Sequence, residues 1–121
     1  MPETVAVLGA SPNPDRYAHK AMTALAAHGH TVIPVNPNHD HIDGQPCHPT
    51  LAHVDPPLDT ITVYLRPDIL RRVLDDIAAA RPARVILNPG TEDEDAARRL
   101  TAAGIHVQTA CTLVLLRSGQ Y

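Results

Sequence analysis

Residues 4–35 read TVAVLGASPNPDRYAHKAMTALAAHGHTVIPV, and their pattern decides the fold. Residues 4–8 are a β-branched apolar run that reads as a strand, and Gly9 ends it in a turn. Across residues 17–28 the apolar positions Ala21, Met22, Leu25 and Ala26 recur at the spacing of one helix face, and Gly29 follows as a stop. Residues 31–35 are a second apolar strand. Strand, helix and strand in this order are the unit of a parallel sheet covered by helices.

The alternation continues downstream. Residues 60–64, 84–87 and 105–109 read as further strands. Residues 67–80 begin with Pro67 in a first helical turn and place Ile69, Leu70, Val73, Leu74 and Ile77 on one face. Thr91-Glu92-Asp93-Glu94 matches a capping box opening a helix that runs to about Ala103 and stops at Gly104. The strands are mostly unbroken apolar runs, as expected of strands buried on both faces. The predicted fold is α/β: residues 1–121 form a single Rossmann-like doubly wound domain, a parallel sheet of about five strands flanked by helices.

One segment departs from the pattern. Between residues 36 and 58, where a crossover helix should stand, Pro37, Pro46, Pro49, Pro56 and Pro57 leave room only for a short turn near residues 50–53. Long ordered loops of this kind are commonly functional. The stretch 113–116, Leu-Val-Leu-Leu, reads as an apolar tail and a candidate edge for a homodimer.

The composition bounds the rest. With 121 residues, 44% hydrophobic and 19% charged, the chain can bury one core, and without Phe or Trp that core must be aliphatic. A formal charge of −3 argues against a nucleic-acid binder, which needs a basic surface. No apolar run approaches the roughly 18–20 residues that cross a bilayer. Met1-Pro2-Glu3-Thr4 lacks the basic start of a secretion signal, and two cysteines are no disulfide framework, so a cytoplasmic protein with free thiols is expected.

In an open α/β sheet the ligand lies beyond the carboxyl ends of the strands, where strand order reverses. Gly9-Ala10-Ser11, Asn36-Pro37, Arg66-Pro67 and Asn88-Pro89-Gly90 all follow strand ends. Gly9 permits a tight turn, Ser11 carries a hydroxyl donor, and Arg16 and Lys20 bring charge beside a helix N-terminus suited to a phosphate. Backbone donors are expected from residues 9–12. Neither GxxxxGK[ST] nor GxGxxG is present, which removes a P-loop and the usual dinucleotide fingerprint. The second strand ends Val35-Asn36-Pro37, without the acid that holds the NAD ribose, which favours a more negative ligand.

The string VAVLGASPNPDRYAHKAM followed by HGHTVIPVNPNHDHIDGQPCHPTL closely resembles the small stand-alone CoA-binding domain proteins, related to the CoA-binding domain of the succinyl-CoA synthetase α subunit. The likeness continues through LDTITVYLRP and VILNPGTEDEDAARRLTAAGIHV and so covers nearly the whole chain. Its most specific parts are GAS-x4-R and VIPVNP with Gly44, Cys47, Thr50 and Leu51 downstream. The resemblance implies a non-catalytic module for coenzyme A or an acyl-CoA. By position, Gly9, Ala10, Ser11 and Arg16 would contact the phosphates beside Tyr17 and Lys20. Val35, Asn36 and Pro37 would line the nucleotide cleft, Tyr64 and Arg66 would flank the adenosine or pantetheine portion, and Asn88 and Gly90 would close the other side.

Other readings are weaker. His39, His41, Cys47, His48 and His53 have ligand chemistry but no recognised spacing, so exposed loop histidines rather than a metal site are expected. Cys111 follows the last strand and is read as a small buried hydrophobe, with thiol exchange with CoA disulfide as the alternative. The competing functional classes are a small NAD(P)-binding enzyme or redox sensor, and an interaction module docking through its apolar tail.

Overall fold

Apolar, β-branched runs flanked by glycine and proline turns give the strands, and the Ala/Leu-rich stretches between them give the helices. The computed structural model of the protein describes residues 2–55 and 57–121; Pro56, one of the loop prolines, lies outside them. Strand β1 (Thr4–Leu8) leads through helix α1 (Tyr17–Ala27) to β2 (Thr31–Val35). After the loop come β5 (Thr60–Val63), α2 (Pro67–Arg72), α3 (Leu74–Ala80), β6 (Arg84–Leu87), α4 (Glu94–Ala102), β7 (His106–Thr109) and α5 (Thr112–Ser118). The loop itself contributes two short strands, β3 (His41–Ile42) and β4 (Gln45–Pro46), and a 3-10 turn at Leu51–His53.

Five strands pair in parallel in the order β2-β1-β5-β6-β7. The expected α/β sheet is therefore the fold. The chain builds outward from β1 to β2, then returns to the other side of β1 with β5, so strand order reverses between β1 and β5. Val5, Ala6, Val7, Ile61 and Val63 are wholly buried, as central strands covered on both faces must be.

The sheet divides an aliphatic core in two. On one face Leu8, Ile61 and Leu87 pack with Leu70, Leu74, Ile77 and Leu100 of α2, α3 and α4. On the other, Val5, Val7 and Val32 pack with Met22 and Leu25 of α1 and Leu116 of α5. Each such Val, Leu or Ile contributes roughly 1.5–3 kcal/mol relative to exposure. Among the described residues no helix is long and apolar enough to cross a membrane.

Four local features differ from the sequence reading. The helix expected over 67–80 is divided at Val73, whose N–H donates to Leu70 O over the tighter three-residue span while Ile77 N–H still reaches Val73 O. The cap of α4 is Asp93, not Thr91: the Thr91 hydroxyl donates instead to Asn88 O at 2.8 Å. The stretch 113–116 is not a free tail but part of α5, with Leu113, Leu115 and Leu116 buried and Val114 left 55% exposed. The loop also forms a hairpin, because Asp43 (φ 52°) and Gly44 (φ 77°) take the paired positive φ values that a two-residue turn requires. The short turn expected near residues 50–53 is present.

The loop is anchored rather than loose. Ile42, Cys47 and Leu51 are buried in the core, and His48 runs beside β2, donating N–H to Pro34 O and accepting from Asn36 N–H. Burial raises the Cys47 thiol pKa, as does the Asp40 charge, against the lowering effect of the Asn36 backbone contact.

Asp93 also joins two helices. It accepts from Ala96 N–H and from both Nε and Nη2 of Arg71 at 3.2 and 2.9 Å. The Arg71 hydrogen bonds, helped by the Ala96 amide, hold the Asp93 carboxyl below its usual range. A depressed carboxyl stabilises the fold above its unfolded pKa of about 3.9, and that contribution is lost as pH falls through the lowered value. Urea denaturation of Asp93→Asn should therefore show a deficit against the parent at pH 7 that narrows as the pH falls towards 2; a constant deficit would remove Asp93 from the acid response.

Candidate functional site

Gly9 closes β1 at the reversal point. Its φ is +89°, and a Cβ there would lie 2.9 Å from Tyr64 O and 3.0 Å from Leu65 Cδ2. Glycine is required both by the backbone conformation and by the approach of the β5 end. Gly9 and Ala10 N–H both donate to Val35 O, at 3.0 and 3.2 Å, and Tyr64 N–H donates to Leu8 O at 2.8 Å. Asn36 Nδ2 donates to Ala10 O at 2.7 Å while its Oδ1 accepts from Asn38 N–H at 2.8 Å. The ends of β1, β2 and β5 thus form one stitched edge.

This stitching moves the anion donors. The Gly9 and Ala10 amides are occupied by Val35 O, and Pro12 and Pro14 have no N–H. Asn13 N–H donates to Ser11 Oγ, Asp15 N–H to Asn13 Oδ1 and Arg16 N–H to Asn13 O. Backbone donation from residues 9–12 is thereby reduced to Ser11. The remaining donors are the first-turn amides of α1 at Tyr17, Ala18 and His19, which have no intrahelical acceptor, and Arg16 at the N-cap makes no side-chain cap.

Three cavities run side by side along the carboxyl edge of the sheet. The middle one, about 370 Å³, is lined by Gly9, Ala10, Ser11, Arg16, Tyr17, Ala18, Asn36 and Tyr64. Through Gly9 and Asn36 it shares walls with a cavity of about 400 Å³ formed by Leu8, Val35, Pro37, Asn38, Pro49, Thr50, Leu51, Leu65, Ile69, Val73 and Asp76. Through Tyr17 and Tyr64 it shares walls with another of about 400 Å³ formed by Asn88, Pro89, Cys111, Leu113, Val114 and Arg117. The result is a groove with a polar, cationic centre and two more apolar ends.

Tyr64 stands where the middle cavity meets the α5 cavity. Its hydroxyl is buried without a hydrogen-bond partner of good geometry. Burial pushes its pKa up to about 12, against the lowering influence of the nearby Thr112 and Thr62 hydroxyls. It therefore stays neutral across the physiological range, its hydroxyl shielded from solvent beside the buried Thr62 and Thr112 hydroxyls.

Asn88 has the opposite character. Its Nδ2 donates to Thr62 Oγ1 at 2.7 Å and Val63 O at 2.9 Å, and its Oδ1 accepts from Thr112 N–H at 2.9 Å. Thr62 and Thr112 hydroxyls pair at 2.8 Å. The side chain is 1% exposed and fixes the start of α5 to β5 and β6. It is a wall of the groove whose amide is already committed to protein partners.

The structure brings together Gly9, Ala10, Ser11, Arg16, Tyr17, Val35, Asn36, Pro37, Tyr64 and Asn88 around this groove. Three expected residues lie outside its walls. Lys20 sits beside it, Nζ 5.5 Å from the Tyr17 ring centroid. Arg66 is exposed and faces Asp68 at 3.5 Å. Gly90 (φ 90°) shapes the turn after β6, its N–H donating to Glu92 Oε1 at 2.7 Å. The sequence carries no signal for the part played by Leu65 and Ile69, nor for Leu113, Val114 and Arg117, since the stretch 113–116 reads as a tail. Tyr17 gives the groove a second ring beside Tyr64. Among the described residues no three His, Cys, Asp or Glu side chains converge as a metal site would require.

Residues 3–117 match the family model described as CoA binding domain. YneT of Bacillus subtilis (strain 168) is 30% identical over 100 residues, covering 83% of this chain and 74% of that protein. The solved structure of cell-free ID.343 from Thermus thermophilus is 31% identical, with 99% of this chain and 91% of that chain covered and a TM-score of 0.90. The dinucleotide-forming acetyl-coenzyme A synthetase 1 of Ca. Korarchaeum cryptofilum, in complex with phosphate and ADP, is 26% identical over 90% of this chain with a TM-score of 0.78. This chain spans only 26% of that enzyme's length.

Proposed function

The chain belongs to the CoA-binding domain family, and from that premise we propose that it binds coenzyme A or an acyl-CoA without transforming it. The observation that carries this reading is the order of the three cavities: a polar centre between two less polar ends. Coenzyme A has the same order, a diphosphate between an adenosine and a pantetheine arm. The diphosphate would sit on the open first turn of α1 with Arg16, where helix dipole and guanidinium act together. Binding rather than turnover is supported by the use of the groove's side-chain amides: Asn36 and Asn88 hold the scaffold.

The test is a thermal-shift and calorimetric panel of CoA, dephospho-CoA, NAD, NADP and AMP. A selective response to CoA is expected, and a response to NAD with none to CoA would overturn the reading. Arg16→Ala should weaken CoA binding by about 1.5–3 kcal/mol, the range for a hydrogen bond to a charged group. Unchanged affinity would remove Arg16 from the site.

A further inference from the structure

His19 of α1 and Asp43 of the hairpin join the two segments on which the groove depends. The imidazole Nε2 lies 2.6 Å from Asp43 Oδ2, and the His19 side chain is 15% exposed although that of Asp43 is 59% exposed. Pairs between two exposed side chains contribute little, but this one is short and shelters one of its partners. The backbone N–H of His19 is one of the free first-turn amides of α1. Beyond the hairpin, Pro49, Thr50 and Leu51 wall the cavity beside β2. Resting on the proposed CoA reading, we infer that His19 and Asp43 are positioning residues. Their contact couples the ligand's diphosphate on α1 to the seating of the loop, most strongly when the imidazole is protonated.

The turn alone does not account for the Asp43 carboxylate. Asp43 (φ 52°) and Gly44 form a two-residue turn in which Asn serves as well as Asp. What the aspartate adds is a charge facing an imidazole. Arg16 and Lys20 along α1 oppose a positive charge on that ring, as does the positive end of the helix. Asp15, just before the helix, and Asp40 and Asp43 of the hairpin favour it. The hairpin's other titratable groups are His41 and the buried Cys47 thiol. A side chain in the first helical turn leans towards the N-terminus, here towards the anion seat. A diphosphate bound there brings two negative charges and favours the imidazolium, which tightens the hydrogen bond to Asp43. Such coupling is reciprocal, so a seated hairpin strengthens ligand binding by the same factor.

The experiment is calorimetric titration with CoA at pH 6 and pH 8, where a histidine changes charge. It compares the intact protein with His19→Gln, Asp43→Asn and the double variant. At pH 6 each single variant should bind CoA about five-fold more weakly than the parent, the low end of coupling between sites. At pH 8 that deficit should narrow, and the double variant should lose less than the two single losses combined. The 3′-phosphate of CoA also titrates in this range, but it does so in parent and variants alike, so their difference isolates the pair. Asp43→Asn keeps the turn and carries the test even where His19→Gln lowers the melting temperature. Variants that match the parent at both pH values, a deficit equal at both, or fully additive losses would overturn the inference while leaving CoA binding in place. Failure of the parent to bind CoA would sink the proposed function and the coupling with it.

Discussion

Gly9→Ala should lower the unfolding free energy by about 2–5 kcal/mol, combining a strained positive φ with overpacking of a closed contact. Every component of this cost is visible at the end of β1. The backbone there has φ +89°, which an L side chain adopts only under strain, and the added methyl would meet a carbonyl oxygen at 2.9 Å. That oxygen belongs to Tyr64, whose N–H is bonded to Leu8 O, so it cannot retreat without loosening β1 from β5. In a chain of this size the melting temperature should fall by roughly 10–20 °C. Retreat of Tyr64 would also misplace the junction of two cavities, so ligand binding should fall more steeply than stability alone dictates. A thermal melt within a few degrees of the parent would show that the β5 end yields freely.

Asn88→Ala should cost roughly 2–4 kcal/mol, because buried groups left unsatisfied cost about 1–3 kcal/mol each and the losses here share one network. The substitution orphans Thr112 N–H and Val63 O and leaves Thr62 with its Thr112 partner alone. Its signature should be local. Hydrogen exchange should rise first in residues 112–118, since Asn88 holds the entry of α5, while β1 and β2 keep their protection. Uniform loss of protection across both regions would mean that α5 does not open separately. An unchanged melting temperature would show that water replaces the amide without penalty.

The fold was legible because its signals are periodic and mutually consistent. Unbroken apolar strands, helices with a single apolar face and glycine stops agree with one another from residue 4 to residue 109. The first loop was legible as a wall of the groove because Gly9, Ser11 and Arg16 stand between a strand end and a helix start. What the sequence hides is hydrogen-bond bookkeeping. Nothing in the string GAS shows that the Gly9 and Ala10 amides are occupied by Val35 O, which depends on how closely β2 lies.

The role of α5 was hidden for a different reason. A helix of this length, Thr112–Ser118, is too short for periodicity to separate from a sticky tail, and its start is fixed by Asn88, far away in sequence. By contrast, the hairpin in the proline-rich loop carried a readable mark, Asp43-Gly44. It was obscured by the prolines around it. Those prolines shape the loop as expected; its histidines are not gathered into a ligand set among the described residues.

That loop has two duties. Pro49, Thr50 and Leu51 wall the groove, while His48, a few atoms away along the backbone, pairs with the outer side of β2. An open parallel strand is a template onto which another chain can add, and here the template is covered by the chain's own loop. The opposite border needs no such cover, because β7 is short and carries His106, Gln108 and Thr109. One segment therefore does two structural jobs at once: it walls the groove, and it occupies backbone groups of β2 that another strand would otherwise find open.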